Sequence, residues 1–535
     1  MTRRTGISTL GALLCATSIA TSIATSIAWA GLAFAAVRAG PPSVNVAWRT
    51  AAADADIERA FALAKAESKP LLLYWGASWC PPCNQLKATL FNRQDFAAQS
   101  KSFVAVNVDG DLPAAQKLGA RFKVGGYPTL VLFTSGGQEI TRLPGEADAP
   151  QVMALLQAGL AGGRPVAAVL ADARAGKALR ANEWRMLSFH SWEIDESGLV
   201  AKADRPAVLA ELAVKSQAQL SGEGETTTRL WLKALAASDD GRGIKPDAAL
   251  RQRVQRVLTD AAQARTHMDV LVNGGADMVK ALSDDDSAER APLVKQFDAA
   301  LARLQADATL SRGDRVSALI ERVQLARLGQ GKEATAPNLP PALVQEVRAA
   351  SAAMDRETTD PYERMAVITA VAYLQAQAGL WTESEALLKA NLARADSPYY
   401  LMSQLGSNAR KQGKNDEALR WYEKAYDASV GPATRLQWGA SYVAALIDLA
   451  PADAPRIEKV AAKLFAEAAL DKAAFHERSA RSLQRVGKKL GSWNADGKHA
   501  AQIGRLQAQL RGVCAKVEAA DGQRATCAAL LPRKT

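Results

Sequence analysis

Apolar positions in this chain of 535 residues fall into three regimes. Between Arg4 and Arg38 no charged residue occurs, and Ala, Ile, Leu, Ser and Thr fill the interval. From Trp48 the spacing switches repeatedly between helical and strand periods. Asp54 to Glu67 (DADIERAFALAKAE) repeats its apolar residues at helical spacing, Leu71 to Trp75 is a buried-strand run, and Phe103 to Val108 is a second. Leu130 to Phe133, a turn at Gly136 and Gly137, a short strand and a helix from Ala149 to Leu160 follow, so residues 43–162 are expected to form a small α/β domain. The Gly- and Pro-containing stretch Ala161 to Pro165 punctuates its end.

Beyond residue 165 strand-like alternation disappears. Ala, Leu, Glu, Lys, Arg and Gln dominate, and loops such as SDDGRGIKPD separate helical stretches, which predicts an all-helical second part. Within it, Leu405, Gly406, Ala409, Gly413, Ala418, Tyr422 and Ala425 fall at tetratricopeptide-like positions, where small residues let two antiparallel helices approach. Val371, Ala372, Gly379 and Leu388 form a degenerate earlier copy, and Trp438, Gly439 and Tyr442 a later one displaced by a residue. The expected division is helices over 166–360, tetratricopeptide-like repeats over 365–466 and a helical region over 467–535.

The uncharged start after Arg3 and Arg4 reads as a signal peptide over residues 1–35, with small-residue cleavage patterns at Ala28-Trp29-Ala30 and Ala33-Phe34-Ala35. Export to the periplasm is therefore expected, with a membrane attachment only if the leader is retained. Cys15 would leave with it, and Cys80, Cys83, Cys514 and Cys527 remain, an even and sparse count suited to an oxidising compartment. The net charge of +11 is diffuse. Without a basic stripe or interleaved aromatics it does not point to nucleic acid. His190, His267, His476 and His499 are scattered and read as surface or satisfied residues, so neither a metal nor a cofactor is expected.

The pair Cys80-Pro81-Pro82-Cys83 follows the Leu71–Trp75 strand and precedes helical CNQLKATLF. A Cys-x-x-Cys can be half a zinc site, a structural disulfide or a redox couple. Zinc lacks its other ligands, and a ring closed across two residues constrains an unfolded chain little. At a helix start, unpaired N–H groups and the macrodipole stabilise a thiolate. Cys80 is then the attacking and more exposed thiol, and Cys83, one turn inside, resolves the mixed disulfide. Pro81 and Pro82 suit a first turn yet remove two donors, so only a moderate lowering of the thiol pKa is expected. Cys514 and Cys527 flank AKVEAADGQRAT and read first as a structural disulfide, with an internal relay to Cys80 and Cys83 as the alternative.

Trp79 to Cys83 (WCPPC) and Gly125 to Thr129 (GGYPT) together resemble the active-site motif and the cis-proline loop of the thioredoxin superfamily. The lead-in ERAFALAKAESKPLLLYWGASWCPPC resembles exported thioredoxin-like domains such as the C-terminal domain of the transmembrane disulfide reductase DsbD. That resemblance implies that Pro128 faces the cysteines and that Trp79, Tyr127 and Pro128 form the groove on which a partner docks. It also marks departures. Tyr74 stands six residues before Cys80, where the family commonly buries an aspartate that moves a proton off the resolving thiol; Asn84 replaces a basic residue, and the helix-kinking proline is absent at Ala88.

The expected function is a periplasmic thiol–disulfide oxidoreductase, a reductase by its lead-in, whose helical repeats select protein clients. The chain carries no flavin or nicotinamide fingerprint, so electrons must come from an external redox partner, a membrane reductase being one candidate. The alternative is a repeat-based adaptor or chaperone in which the redox couple is regulatory or incidental.

Overall fold

The computed structural model describes residues 46–532 apart from 144, 146, 193–198, 221–223, 240, 241, 332, 520 and 521. The leader reading and Cys15 lie outside the described residues. Five strands, β1 (Arg49–Thr50), β2 (Leu71–Gly76), β3 (Val104–Asp109), β4 (Thr129–Phe133) and β5 (Glu139–Leu143), form one sheet in the order β1-β3-β2-β4-β5. β3 runs parallel to β1 and β2, whereas β4 is antiparallel to β2 and β5.

The unbroken apolar run of β2 has a simple cause: the strand is central and both faces are covered. Leu72 and Tyr74 enter the core that also holds Cys83 and Leu156, while Leu71, Leu73 and Trp75 enter the opposite core with Ile57 and Ala60. Helix α1 (Asp54–Ala66) supplies that second core, its buried Ile57, Ala60 and Ala64 spaced along one stripe. Helices α2 (Pro81–Leu86), α3 (Gln94–Gln99), α4 (Ala115–Arg121) and α5 (Ala149–Leu160) complete the unit. Asp148 caps α5 by accepting the Gln151 N–H at 3.1 Å.

Two local differences from the sequence reading have physical reasons. β1 is two residues long, too short to leave a period in the sequence. The expected single helix after Cys83 is instead α2 followed by a π-helical turn, Lys87–Phe91, which widens the segment where the family's proline would have kinked it.

From Val166 every described helix or strand is helical; the one isolated β-bridge joins Asp239 and Arg242. In the region where repeats were expected, the helices Pro361–Gln377 and Trp381–Asn391 form one hairpin and Pro398–Lys411 and Asn415–Ala428 the next. Gly379 and Gly413, in corresponding turns, have φ of 76° and 72°, a region that favours glycine. A Cβ on Gly406 would lie 3.1 Å from the Tyr422 ring, so the small residue sets how closely the second pair packs. The helices Pro432–Leu449, Ala454–Ala468, Glu477–Trp493 and Ala500–Lys516 share a further core, into which the bridged Cys514 and Cys527 are packed.

The α/β unit is not a separate bead on this body. Tyr399, Ala425 and Trp438 share a continuous core with Trp79, Cys80 and Cys83, and the helix Pro361–Gln377 packs on α2.

Candidate functional site

The cysteines sit where β2 hands over to α2. Cys80 is the N-cap of α2, and its Sγ accepts the Cys83 N–H at 3.2 Å, with proline at the start of the helix. Asn84 donates from Nδ2 to the Ser78 carbonyl at 2.9 Å and ties the turn to the helix. Cys80 and Cys83 are bridged, their Cα atoms 5.2 Å apart. The Tyr127–Pro128 peptide is cis. Because Trp75 pairs with Thr129, this loop lies at the same end of the sheet as the cysteine turn. The Tyr127 ring is 6.1 Å from that of Trp79, and its hydroxyl accepts from Gln116 Nε2 at 2.9 Å. The sequence-identified residues Trp79, Cys80, Cys83, Tyr127 and Pro128 are thus assembled at one end of the sheet, whereas Cys514 and Cys527 belong to the separate C-terminal core.

Both cysteines are buried, Cys80, expected as the more exposed of the two, at 2% and Cys83 at 0%. The face expected to receive a partner is covered, because the chain's own helices lie on it. Tyr400 stacks on Trp79 at 6.1 Å and Trp438 meets it edge-on at 6.4 Å. Trp79 Nε1 donates to Asp111 at 2.6 Å, and Asp111 also accepts from Thr434 Oγ1 and Arg478 Nη2, each at 2.5 Å. The Arg478 guanidinium lies 4.9 Å from the Trp79 ring centroid and 5.0 Å from that of Tyr127. Arg481 donates to the Gly125 carbonyl at 2.9 Å, which holds the GGYPT loop from the same helix.

On the other side α2 is gripped as well. Gln85 Nε2 donates to Ser311 Oγ at 2.6 Å, and the Ser311 hydroxyl donates to Asp314 Oδ2 at 2.7 Å. A Cβ on Gly313 would lie 2.5 Å from the Gln85 amide, so a larger residue there would displace that amide from its present position. Between the two contacts runs a cleft of about 970 Å³, bounded by Trp79, Pro81 and Pro82 on one side and by Gln404, Tyr400 and Trp438 on the other.

Beneath the cysteines the polar groups are few. Burial pushes the Tyr74 hydroxyl well above the ordinary phenol range, reinforced by the charge of Asp109, and the hydroxyl has no hydrogen-bond partner. A Cβ built on Gly76 would lie 2.4 Å from that hydroxyl and 3.3 Å from Cys83 Sγ, which places both groups around the same glycine. Burial raises the carboxyl pKa of Asp109; the Asp111 N–H bond opposes this, Asp111's charge adds to it, and Lys87 and Arg478 oppose it in turn. Lys87 is lowered by burial against the attraction of Asp109.

Among the described residues no cluster of three or more His, Cys, Asp or Glu side chains could hold a metal ion. His267 departs from the reading of the histidines as surface or satisfied. It is fully buried with neither ring nitrogen bonded, and burial, then the nearby Arg229, pushes its pKa down to about 4. The residues that sequence reasoning missed are Asp111, Tyr400, Thr434, Trp438 and Arg478. Asp111 lies two residues beyond β3 and carried no motif; Trp438 was legible only as a repeat position, and Tyr400, Thr434 and Arg478, each more than 300 positions from Trp79, gave no signal.

Residues 57–160 match the family model described as a thioredoxin-like domain. Over 123 residues the chain is 30% identical to thiol:disulfide interchange protein DsbD 1 of Pseudomonas aeruginosa, covering 22% of this chain and 21% of that protein. With DsbD 2 of the same organism the identity is 34% over 120 residues, 22% of this chain and 20% of the relative. With DsbD of Yersinia pestis it is 33% over 99 residues, 18% and 17% of the two chains. The match therefore spans about a fifth of the length of these relatives. The N-terminal α/β unit is a thioredoxin-like domain, fused to a largely helical body.

Proposed function

We propose that the protein is an exported thiol–disulfide oxidoreductase, acting as a reductase in the periplasm, whose tetratricopeptide-like helical body selects protein clients. One observation carries this reading: a Cys-x-x-Cys pair whose first sulfur caps the start of α2 and accepts the Cys83 N–H, on a thioredoxin-like sheet beside a cis-proline loop. A thiolate at that position is stabilised by the helix start. Cys80 attacks a client disulfide and forms a mixed disulfide as the client's second sulfur leaves as thiolate. Cys83 then attacks Cys80 and releases the client, which has gained two electrons while the pair is oxidised. An external dithiol partner restores the reduced pair.

Export is supported by the uncharged leader and by two bridged cysteine pairs. The reductase direction is supported by the likeness to DsbD over about a fifth of the chain. The test is turnover of a peptide disulfide by the reduced protein. Cys80→Ser should abolish it, and Cys83→Ser should accumulate a one-to-one mixed disulfide, visible as a mass shift. Full turnover by Cys80→Ser refutes the reading.

A second reading, a repeat-based adaptor with a regulatory dithiol, is favoured by the cover over Trp79 and Cys80. Retention of all cellular function and all non-covalent partners by Cys80→Ser would select it.

A further inference from the structure

We propose that the cleft between α2 and the helices Pro361–Gln377, Pro398–Lys411 and Pro432–Leu449 is the substrate site, and that its occupant is an extended, cysteine-bearing polypeptide segment rather than the surface of a folded protein. The proposal rests on the oxidoreductase reading and names its substrate class.

The cover decides what is excluded. A folded partner needs about 800 Å² of surface on each side to dock stably. The face that would supply it, around Trp79, Tyr127 and Gly125, is occupied by Tyr400, Trp438, Arg478 and Arg481. The cleft of about 970 Å³ stays open beside it and is bounded by Trp79, Pro81 and Pro82, the immediate neighbours of Cys80. That size lies at the upper end of pockets that enclose small ligands. A single strand of chain can enter it; a globular domain cannot.

The walls decide what is favoured. Of the charged residues on the cleft, Arg93 is paired with Asp95 at 2.9 and 2.6 Å, Asp148 with Arg265 at 2.7 Å, and Asp314 accepts from the Ser311 hydroxyl at 2.7 Å. Among the described residues that line the cleft, no cation is left for the carboxylates of a small anionic disulfide. Three wall residues carry polar atoms without a partner, each buried just behind the surface of the cleft: the side-chain oxygens of Gln85 and Gln404, and the indole N–H of Trp438. Two acceptors and a donor complement the N–H and C=O groups that an extended main chain presents on both sides. To face the cleft, the glutamine amides turn about the terminal torsion and exchange the Nε2 bonds to Ser311 and to the Thr369 carbonyl for bonds to the occupant. The Trp79, Tyr400 and Trp438 rings supply an apolar surface for its side chains. Neither cysteine lines the cleft itself, so the exchange takes place at its Trp79–Pro81 edge: the Cys80–client S–S bond forms as the client's own breaks, and the Cys80–Cys83 bond then forms as the client sulfur leaves as thiolate.

The test uses the full-length protein and a fluorescent, unstructured, uncharged peptide of about ten residues with serine in place of cysteine. The oxidised protein should bind it, and Gln404→Leu and Trp438→Phe should each weaken binding about fivefold, the worth of one neutral hydrogen bond. In the matching peptide disulfide, the ratio of kcat/KM to that for hydroxyethyl disulfide should fall by the same factor, through KM. A disulfide in a folded protein should react more slowly than the same disulfide in its denatured chain. Circular dichroism controls for folding, and Gln404→Leu, a half-buried position, guards against loss of the Trp438 variant. Failure of the wild-type protein to bind the peptide while it still reduces disulfides overturns the cleft and leaves the oxidoreductase; equal rates on folded and denatured disulfides also overturn it. Peptide binding weakened by both variants, with no exchange on any disulfide, upholds the cleft and refutes the oxidoreductase.

Discussion

Tyr74 occupies the position at which a thioredoxin-like domain commonly buries an acid, and its surroundings explain what the exchange of residue does. A phenol held protonated by burial can donate to a nearby thiolate but cannot take a proton from Cys83 near neutral pH. Its hydroxyl is buried without a partner, so Tyr74→Phe should leave stability unchanged or raise it by up to about 1 kcal/mol in urea unfolding, since it removes an unsatisfied group rather than a bond. A loss above that would mean that the hydroxyl is bonded in solution. Asp314 gives the clearest pH dependence. Burial pushes its pKa up to about 6 from 3.8, against the Ser311 hydroxyl bond. The folded state therefore holds the proton more tightly than the unfolded chain, so its stabilising contribution is complete below about pH 4 and is lost as pH rises through 6. Asp314→Asn should gain stability over the parent between pH 5 and 7.5, by roughly 1 kcal/mol because the side chain keeps some contact with water. Parallel denaturation curves at the two pH values check it. The burial that sets this shift could not be read from the local sequence SRGDRV.

At the scale of elements, spacing carried most of the information. The strand β2 and the helix α5 were legible because an unbroken apolar run and a capped amphipathic stripe have local causes. The π-turn after α2, which packs against the helix Pro361–Gln377, was not, because no residue pattern within the turn marks it. Cys514 and Cys527 lie close in sequence on two helices, Ala500–Lys516 and Gln523–Ala528, so their bridge closes a short loop. The same C-terminal segment brings the Leu530 carbonyl against Gly487, where a Cβ would sit 2.0 Å from the oxygen. The bridge thus pins the tail to the helix Ala500–Lys516, and the Leu530 carbonyl then rests on Gly487 of the helix that carries Arg478. Replacing both cysteines by serine should cost about 2 to 3 kcal/mol in urea unfolding, the entropy of a loop of this size. Turnover at Cys80 and Cys83 should persist; its loss would instead favour the relay between the two pairs.

For the whole molecule the decisive feature is the return of the chain, more than 300 residues later, onto the group that holds Trp79 beside Cys80. Asp111 gathers Trp79, Thr434 and Arg478 into one bonded group, and the charged bond from Arg478 holds the cover to the redox face. A hydrogen bond to a charged group contributes about 1.5 to 3 kcal/mol. Arg478→Gln should therefore raise the open population and speed iodoacetamide labelling of reduced Cys80 about tenfold, followed by mass spectrometry. It should also narrow the preference for denatured over folded disulfides. Unchanged labelling by a variant that folds normally would show that the cover does not limit access.

The sequence by itself determined the α/β unit, the helical character of the rest and the identity of the dithiol, because each depends on the residue types within one turn or strand: apolar period, helix start, paired cysteines. Only the tertiary structure decided that the dithiol is buried, that Trp79 and Tyr127 lie under a cover, and that a cleft remains beside them. These follow from contacts between residues hundreds of positions apart. Surface complementarity at that distance leaves no period or spacing in the chain, and an arginine such as Arg478 looks the same in the sequence whether it faces water or an aspartate 367 residues away.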